Sequence, residues 1–152
     1  METVIWFFKD QQGKIAVQDC IQELIRQSEY NDDLEHLVAL ILKGLQFLRT
    51  YGIPYAIHEF FSTLRDDGSI YSIRIVKELK YHPPLLEFRV NWRGAGAFRA
   101  VFFEYRLEDT QLLVFTQALV KNQTHSLDFE RIVAISRAQY RSFINSPEKY
   151  MS

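Results

Sequence analysis

A single cysteine, Cys20, stands in a chain of 152 residues, so no intrachain disulfide is available and the fold must be held by its core. A reducing, cytoplasmic setting fits that shortage. Four prolines and six glycines, with no repeat or low-complexity tract, leave little room for a linker or a disordered chain. No unbroken apolar run is long enough for a membrane span: Leu34 to Leu48 is interrupted by Glu35, His36, Lys43 and Gln46, which predicts a soluble protein with no membrane partner. Near the start, Val4-Ile5-Trp6-Phe7-Phe8 has no basic region before it and no small-residue cleavage site after it. It reads as a first strand, not a signal peptide. His36, His58, His82 and His125 lie far apart, and no Cys/His pair has zinc spacing, so no metal site is expected. There is no G-x-S-x-G or catalytic-cysteine pattern. Gly94-Ala95-Gly96 lacks the remaining glycines of a phosphate loop and reads as a hairpin turn. Asn122-Gln123-Thr124 matches the glycosylation sequon, but nothing else suggests secretion, and the match is read as accidental.

What the chain does have is aromatic bulk and a hidden charge asymmetry. Twelve Phe, eight Tyr and two Trp can fill the core of one domain of this size. The formal charge is only -1, yet residues 1–69 carry six Lys/Arg against eleven Asp/Glu, and residues 70–152 carry twelve against eight. A polyanionic partner should therefore meet the second half.

Hydrophobic periodicity sets the organisation. After a turn at Asp10 to Gly13, Val17, Ile21, Leu24 and Ile25 mark one amphipathic helix. Asn31, Asp32 and Asp33 are N-cap candidates for a second helix whose stripe is Leu34, Leu37, Val38, Ile41, Leu42, Leu45 and Leu48, stopped by Gly52 and Pro54. The pair predicts a helical hairpin that needs a sheet to cover it. Strand patterns follow at Ile70 to Val76, Leu86 to Trp92, Ala97 to Tyr105 and Leu112 to Val120, separated by turn residues, which reads as a meander. Tyr55 to Arg65 fits helix or loop. A last helix runs from Leu127 to Ile144 with Ser126 as its cap, its stripe being either Phe129, Val133, Ser136 and Tyr140 or the neighbouring Ile132 and Ile135. The expected fold is one α+β domain over residues 1–152: an N-terminal strand and helical hairpin on a curved antiparallel meander, with a C-terminal helix.

The informative residues are cations in the meander. Arg74, Lys77, Lys80, Arg89, Arg93 and Arg99 are opposed within their stretch by Glu78 and Glu87, and Lys121 ends the last strand. An odd-numbered turn centred on Gly94 would place Arg89 directly opposite Arg99 on one sheet face. Like charges so placed destabilise by up to about 1 kcal/mol unless an anion or carboxylate lies between them. A phosphate would suit a pair of guanidinium forks. Glu87 neutralising one arginine is the structural alternative.

In their order, Pro84-Leu85-Leu86-Glu87-Phe88-Arg89, Ala97-Phe98-Arg99-Ala100-Val101-Phe102-Phe103 and Phe115 to Lys121 followed by a helix resemble the phage-derived, HigB-like branch of the RelE/ParE toxin superfamily. The resemblance covers Val76 to Arg141 well and the helical hairpin loosely. It implies the toxin of a type II toxin-antitoxin pair, with a cognate antitoxin protein covering its active surface. Its implied activity is a metal- and cofactor-independent endoribonuclease acting on mRNA at the ribosome. Matched position by position, Arg89, Arg99 and Lys121 become the catalytic set: Arg99 and Lys121 for transition-state charge, Arg89 for the phosphate backbone. Lys77, Lys80 and Arg93 are substrate-binding candidates, and His82 and Tyr140 are candidate bases at the sheet rim. Such chemistry needs a deprotonated, in-line 2'-OH, a stabilised phosphorane and a protonated leaving oxygen. The same scaffold hosts ParE-like gyrase inhibitors, and also suits a member reduced to protein binding. Asn122, standing where the family has a second basic residue, and the acidic first half point towards the last of these.

Overall fold

The computed structural model describes residues 1–121 and 127–151. The elements are β1 (Glu2–Phe7), α1 (Ala16–Ser28), α2 (Asp32–Tyr51), α3 (Tyr55–His58), β2 (Phe61–Leu64), β3 (Ile70–Ile73), β4 (Val76–Glu78), β5 (Leu86–Trp92), β6 (Gly96–Leu107), β7 (Thr110–Lys121), α4 (Leu127–Asn145) and α5 (Pro147–Met151). Five strands make one mixed sheet in the order β1-β7-β6-β5-β4, while β2 and β3 pair only with each other. The expected α+β class, helical hairpin and meander are present. No helix among the described residues is long and apolar enough to cross a membrane.

Local chemistry explains the first half. The Asp10 carboxylate accepts the backbone N–H groups of Gln12 (2.9 Å) and Lys14 (2.8 Å), closing the expected turn. Asn31 caps α2 by accepting from the Leu34 amide at 3.1 Å. At the other end Gly52 takes a positive φ of 68° and donates to the Leu48 carbonyl at 2.7 Å. Val17, Ile21 and Leu24 of α1 and Leu37, Val38, Ile41 and Leu48 of α2 are buried as their spacing predicts. Ile25 and Leu42 lie at the outer margins of those stripes and are exposed.

The alternation of the strands serves two covers. Phe88, Val90, Phe98, Ala100, Phe102, Leu113 and Phe115 turn towards α1 and α2, with Phe102 and Phe115 stacked at 4.6 Å between centroids. Val101, Phe103, Leu112 and Val114 turn the other way, onto Ile132, Val133 and Phe143 of α4. The result is a three-layer arrangement with the sheet in the middle. A bulge after Val101 admits Thr116, whose hydroxyl donates to the Val101 carbonyl (3.0 Å) and sits 2.7 Å from the Ser136 hydroxyl, tying α4 to the sheet at the irregularity. The buried stripe of α4 combines the two expected alternatives, Ile132 with Val133 and Ser136, whereas Ile135 is exposed. Ser126, its expected cap, lies outside the described residues.

Two expectations need correction. The run Ile70 to Val76 is not one strand: it breaks at Arg74 and Ile75, so that its first part folds back on β2 and its end joins the main sheet as β4. Tyr55 to Arg65, legible as helix or loop, is helix at α3 but a strand, β2, where neither was expected, and Asp67 closes the β2–β3 turn through the Ser69 amide (2.9 Å) and hydroxyl (2.6 Å). Both errors have one cause. A short strand needs a partner, and the partner of β3 came from a segment with no clear period of its own. The sheet is also not purely antiparallel, because β1 enters parallel to β7, pairing Glu2 to Phe7 with Thr110 to Phe115.

At Gly44 α2 lies close against the sheet, and a Cβ there would come 3.0 Å from Cζ of Phe88. Gly44→Val is therefore expected to lower stability by about 1–3 kcal/mol through overpacking. Urea unfolding at constant m-value measures it, and an unchanged midpoint would mean that α2 is not seated on β5 in this way.

Candidate functional site

The β5–β6 hairpin determines what can meet. Its turn, Arg93-Gly94-Ala95, has three residues between the paired Trp92 and Gly96, and Gly94 and Gly96 take positive φ values of 93° and 107°. That odd number places Arg89 directly opposite Arg99. Strand β7 continues the rows: Arg99 pairs with Leu119, and Ala97 with Lys121. Since Phe88, Val90 and Phe98 point to the helical hairpin, Arg89, Arg99 and Lys121 share the opposite face, the one covered by α4. Lys77 joins them by register, opposite Glu87.

The like-charge opposition is resolved within the protein. The Arg99 Nε–H donates to the Glu87 carboxylate, which is only 1% exposed. The Arg99 guanidinium also lies 3.4 Å from the centroid of the Phe129 ring in the first turn of α4. Arg89 is directed elsewhere: its Nε–H donates to the Arg74 carbonyl (3.2 Å), and its amide to the Ile75 carbonyl (2.8 Å), at the sheet edge. The two arginines are thus on one face, but their Nε–H groups serve different acceptors, and Arg99 carries its own counter-charge. The expectation of two guanidinium groups converging on a vacant anion spot is corrected to one neutralised arginine beside Arg89 and Lys121, both half-buried.

The other predicted residues do not gather there. Lys80 is exposed in the β4–β5 turn with its ammonium 5.6 Å from the Tyr81 ring centroid. In the same turn His82 is half-buried, and its Nδ1 is enclosed without a hydrogen-bond partner. Arg93 sits in the turn at the far end of β5, about 20 Å along the strand from His82. Tyr140 packs edge-on against Phe103 at 4.8 Å within the core under α4. Neither candidate base therefore stands beside the arginines. Asn122, the position of the missing second basic residue, and the sequon lie outside the described residues. Cys20 offers no nucleophile, since burial pushes its thiol up to about 11. Among the described residues no group of three or more His, Cys, Asp or Glu could hold a metal ion.

Sequence reading missed a concavity. A cleft of about 1040 Å³ opens between the start of α2, the β2–β3 hairpin and the β5–β6 turn, and His36, Arg65, Tyr71, Trp92 and Arg93 are among its lining residues. Its only sequence signal was Trp92-Arg93 at a hairpin corner; the rest depends on where the β2–β3 hairpin docks.

No family model matches the chain, and no curated protein or solved structure is significantly similar to it.

Two outcomes test this geometry. Glu87→Ala is expected to destabilise by about 3–5 kcal/mol because it strands the Arg99 charge, whereas the paired replacement Glu87→Leu with Arg99→Met costs clearly less; urea unfolding of the cycle decides, and additive losses would dismiss the ion pair. Iodoacetamide should label Cys20 slowly in the folded protein at neutral pH and fast in urea. Equal rates would contradict a protonated, sheltered thiol.

Proposed function

We propose that this protein is a toxin of the RelE/HigB type, an endoribonuclease that cuts mRNA at the ribosome without a metal ion and is restrained by a cognate antitoxin protein in the cytoplasm. One observation supports this reading above the others: a single sheet face carries Arg89 opposite Arg99 with Lys121 on the next strand, the positions that the resemblance assigns to phosphate and transition-state charge. The order of strand, helical hairpin, meander and helix is compatible with it. Lys121 neutralises the scissile phosphate as negative charge grows on it, and Arg89, turned towards the sheet edge, holds the phosphate backbone beside it. Arg99, oriented by Glu87 and Phe129, keeps N–H groups beyond the one given to the carboxylate, and these bind a phosphate oxygen rather than supply net charge. The proton transfers are not assigned to His82 or Tyr140, which stand apart from this face.

A second reading, a scaffold that binds a protein without cutting RNA, gains from the Glu87–Arg99 ion pair, which cancels one of the charges a nuclease would use. A ParE-like gyrase inhibitor belongs to that class. The separating experiment is translation-linked mRNA cleavage by the purified protein, with and without ribosomes. Cleavage should appear with ribosomes, and Arg89→Ala or Lys121→Ala should lower it by about a hundredfold while circular dichroism stays unchanged. Intact mRNA in both arms would dismiss the nuclease, and DNA breaks in a gyrase assay would install the alternative.

A further inference from the structure

The cleft beside the β5–β6 turn has the composition of a seat for an unpaired nucleobase. Its floor is Trp92, whose ring is stacked on His36 (4.5 Å between centroids, 22° between planes) and whose indole N–H donates to the Asp33 carboxylate at 3.2 Å. Both partners come from the first turns of α2, so the plane of the indole is held before any ligand arrives. On the hairpin side Arg65 lies 5.5 Å from the Tyr71 ring centroid and donates to the Ser69 hydroxyl at 3.2 Å. Tyr71 is fixed in turn: its hydroxyl donates to the Asn91 side-chain oxygen and accepts from the Asn91 amide, both at 3.1 Å. A flat aromatic pair on one wall, a planar cation on the other and the exposed Arg93 at the turn surround a volume that accommodates a nucleotide.

Stacking surfaces flanked by guanidinium groups are how proteins bind single strands, since every base has a π-face and every linkage a negative charge. The carboxylate of Asp66 fits the same orientation. It lies 3.9 Å from His36 Nε2, is almost fully exposed, and would repel a phosphate but accept from a base amino group. The cleft and the cationic face lie on opposite sides of the sheet and meet at its β5–β6 end: Trp92 follows Val90 onto the α2 side, while Asn91, Ala97 and Lys121 form one row across β5, β6 and β7, which puts the Lys121 backbone about 10 Å from Asn91 of the cleft wall.

We propose that the cleft holds one unpaired base of a single-stranded RNA, stacked against the Trp92–His36 pair with its backbone phosphate on Arg93, at the turn round which the strand passes from the face that carries Arg89 and Lys121. This assignment rests on the RNA-directed reading above and names the part of that substrate the cleft takes. The β2–β3 hairpin then acts as the second wall of a substrate channel.

Trp92 reports on its own site, because Trp6 is the one other tryptophan. In a Trp6→Phe background, a short unstructured oligoribonucleotide should quench the remaining emission as it binds. His36→Ala and Arg93→Ala should each weaken binding, followed by anisotropy of a labelled oligomer, by about tenfold with unchanged circular dichroism. Emission unaltered at saturation, no binding at all, or variants that bind like the parent would each overturn the cleft assignment. Quenching without any mRNA cleavage would overturn the nuclease and leave the base seat standing; cleavage with a silent Trp92 would do the reverse.

Discussion

The three-residue turn between β5 and β6 is the constraint from which the rest of the cationic face follows. Once Trp92 pairs with Gly96, side-chain period two leaves no choice: Arg89 and Arg99 must oppose each other, and Phe88, Val90 and Phe98 must go into the core against α1 and α2. A slip of one residue would bury the arginines against α1 and α2 and turn the phenylalanines onto the side that carries Glu87 and Lys121. The cost of burying an unpaired guanidinium there exceeds that of the like-charge opposition by several-fold, so the register is strongly determined. The remaining repulsion is relieved by Glu87, one position along the same face, and by the quadrupole of Phe129 above Arg99.

That relief shapes the electrostatics of the face. The Glu87–Arg99 pair has no net charge, so the positive character there rests on Arg89, Lys121 and, on the neighbouring edge strand, Lys77. A chain of nearly zero net charge keeps a cationic side because the acids of the first half lie on other elements, several at the start of α2, where the helix dipole favours them. Any affinity for a polyanion would then depend on a small patch and not on the long-range field of the whole protein, and contacts such as base stacking would count for more relative to counterion release.

Legibility followed the length of the periodic signal. The α1 and α2 stripes, the β5 alternation and the long β6–β7 hairpin were readable because each repeats its pattern several times and buries most of what it repeats. The three-residue turn at Gly94 was readable too, and with it the opposition of Arg89 and Arg99. The β2–β3 hairpin was not, since strands of four residues carry too few periods to separate from loop, and the break at Arg74–Ile75 has no glycine or proline to mark it. Glu87 was visible as a neighbour of Arg89 in sequence, but its choice of Arg99 over Lys77, its partner across β4–β5, depends on side-chain directions that register alone leaves open.

From the amino-acid order alone came the α+β class, the two helices, the meander and the face on which its arginines stand, because these are consequences of local period and turn length. Three matters were decided only by tertiary contact: the parallel entry of β1 beside β7, the engagement of each guanidinium with a different acceptor, and the cleft closed by a hairpin from a distant segment. Each brings together groups far apart in the chain, and pairing at that range is chosen by packing and burial, which no short window of residues contains.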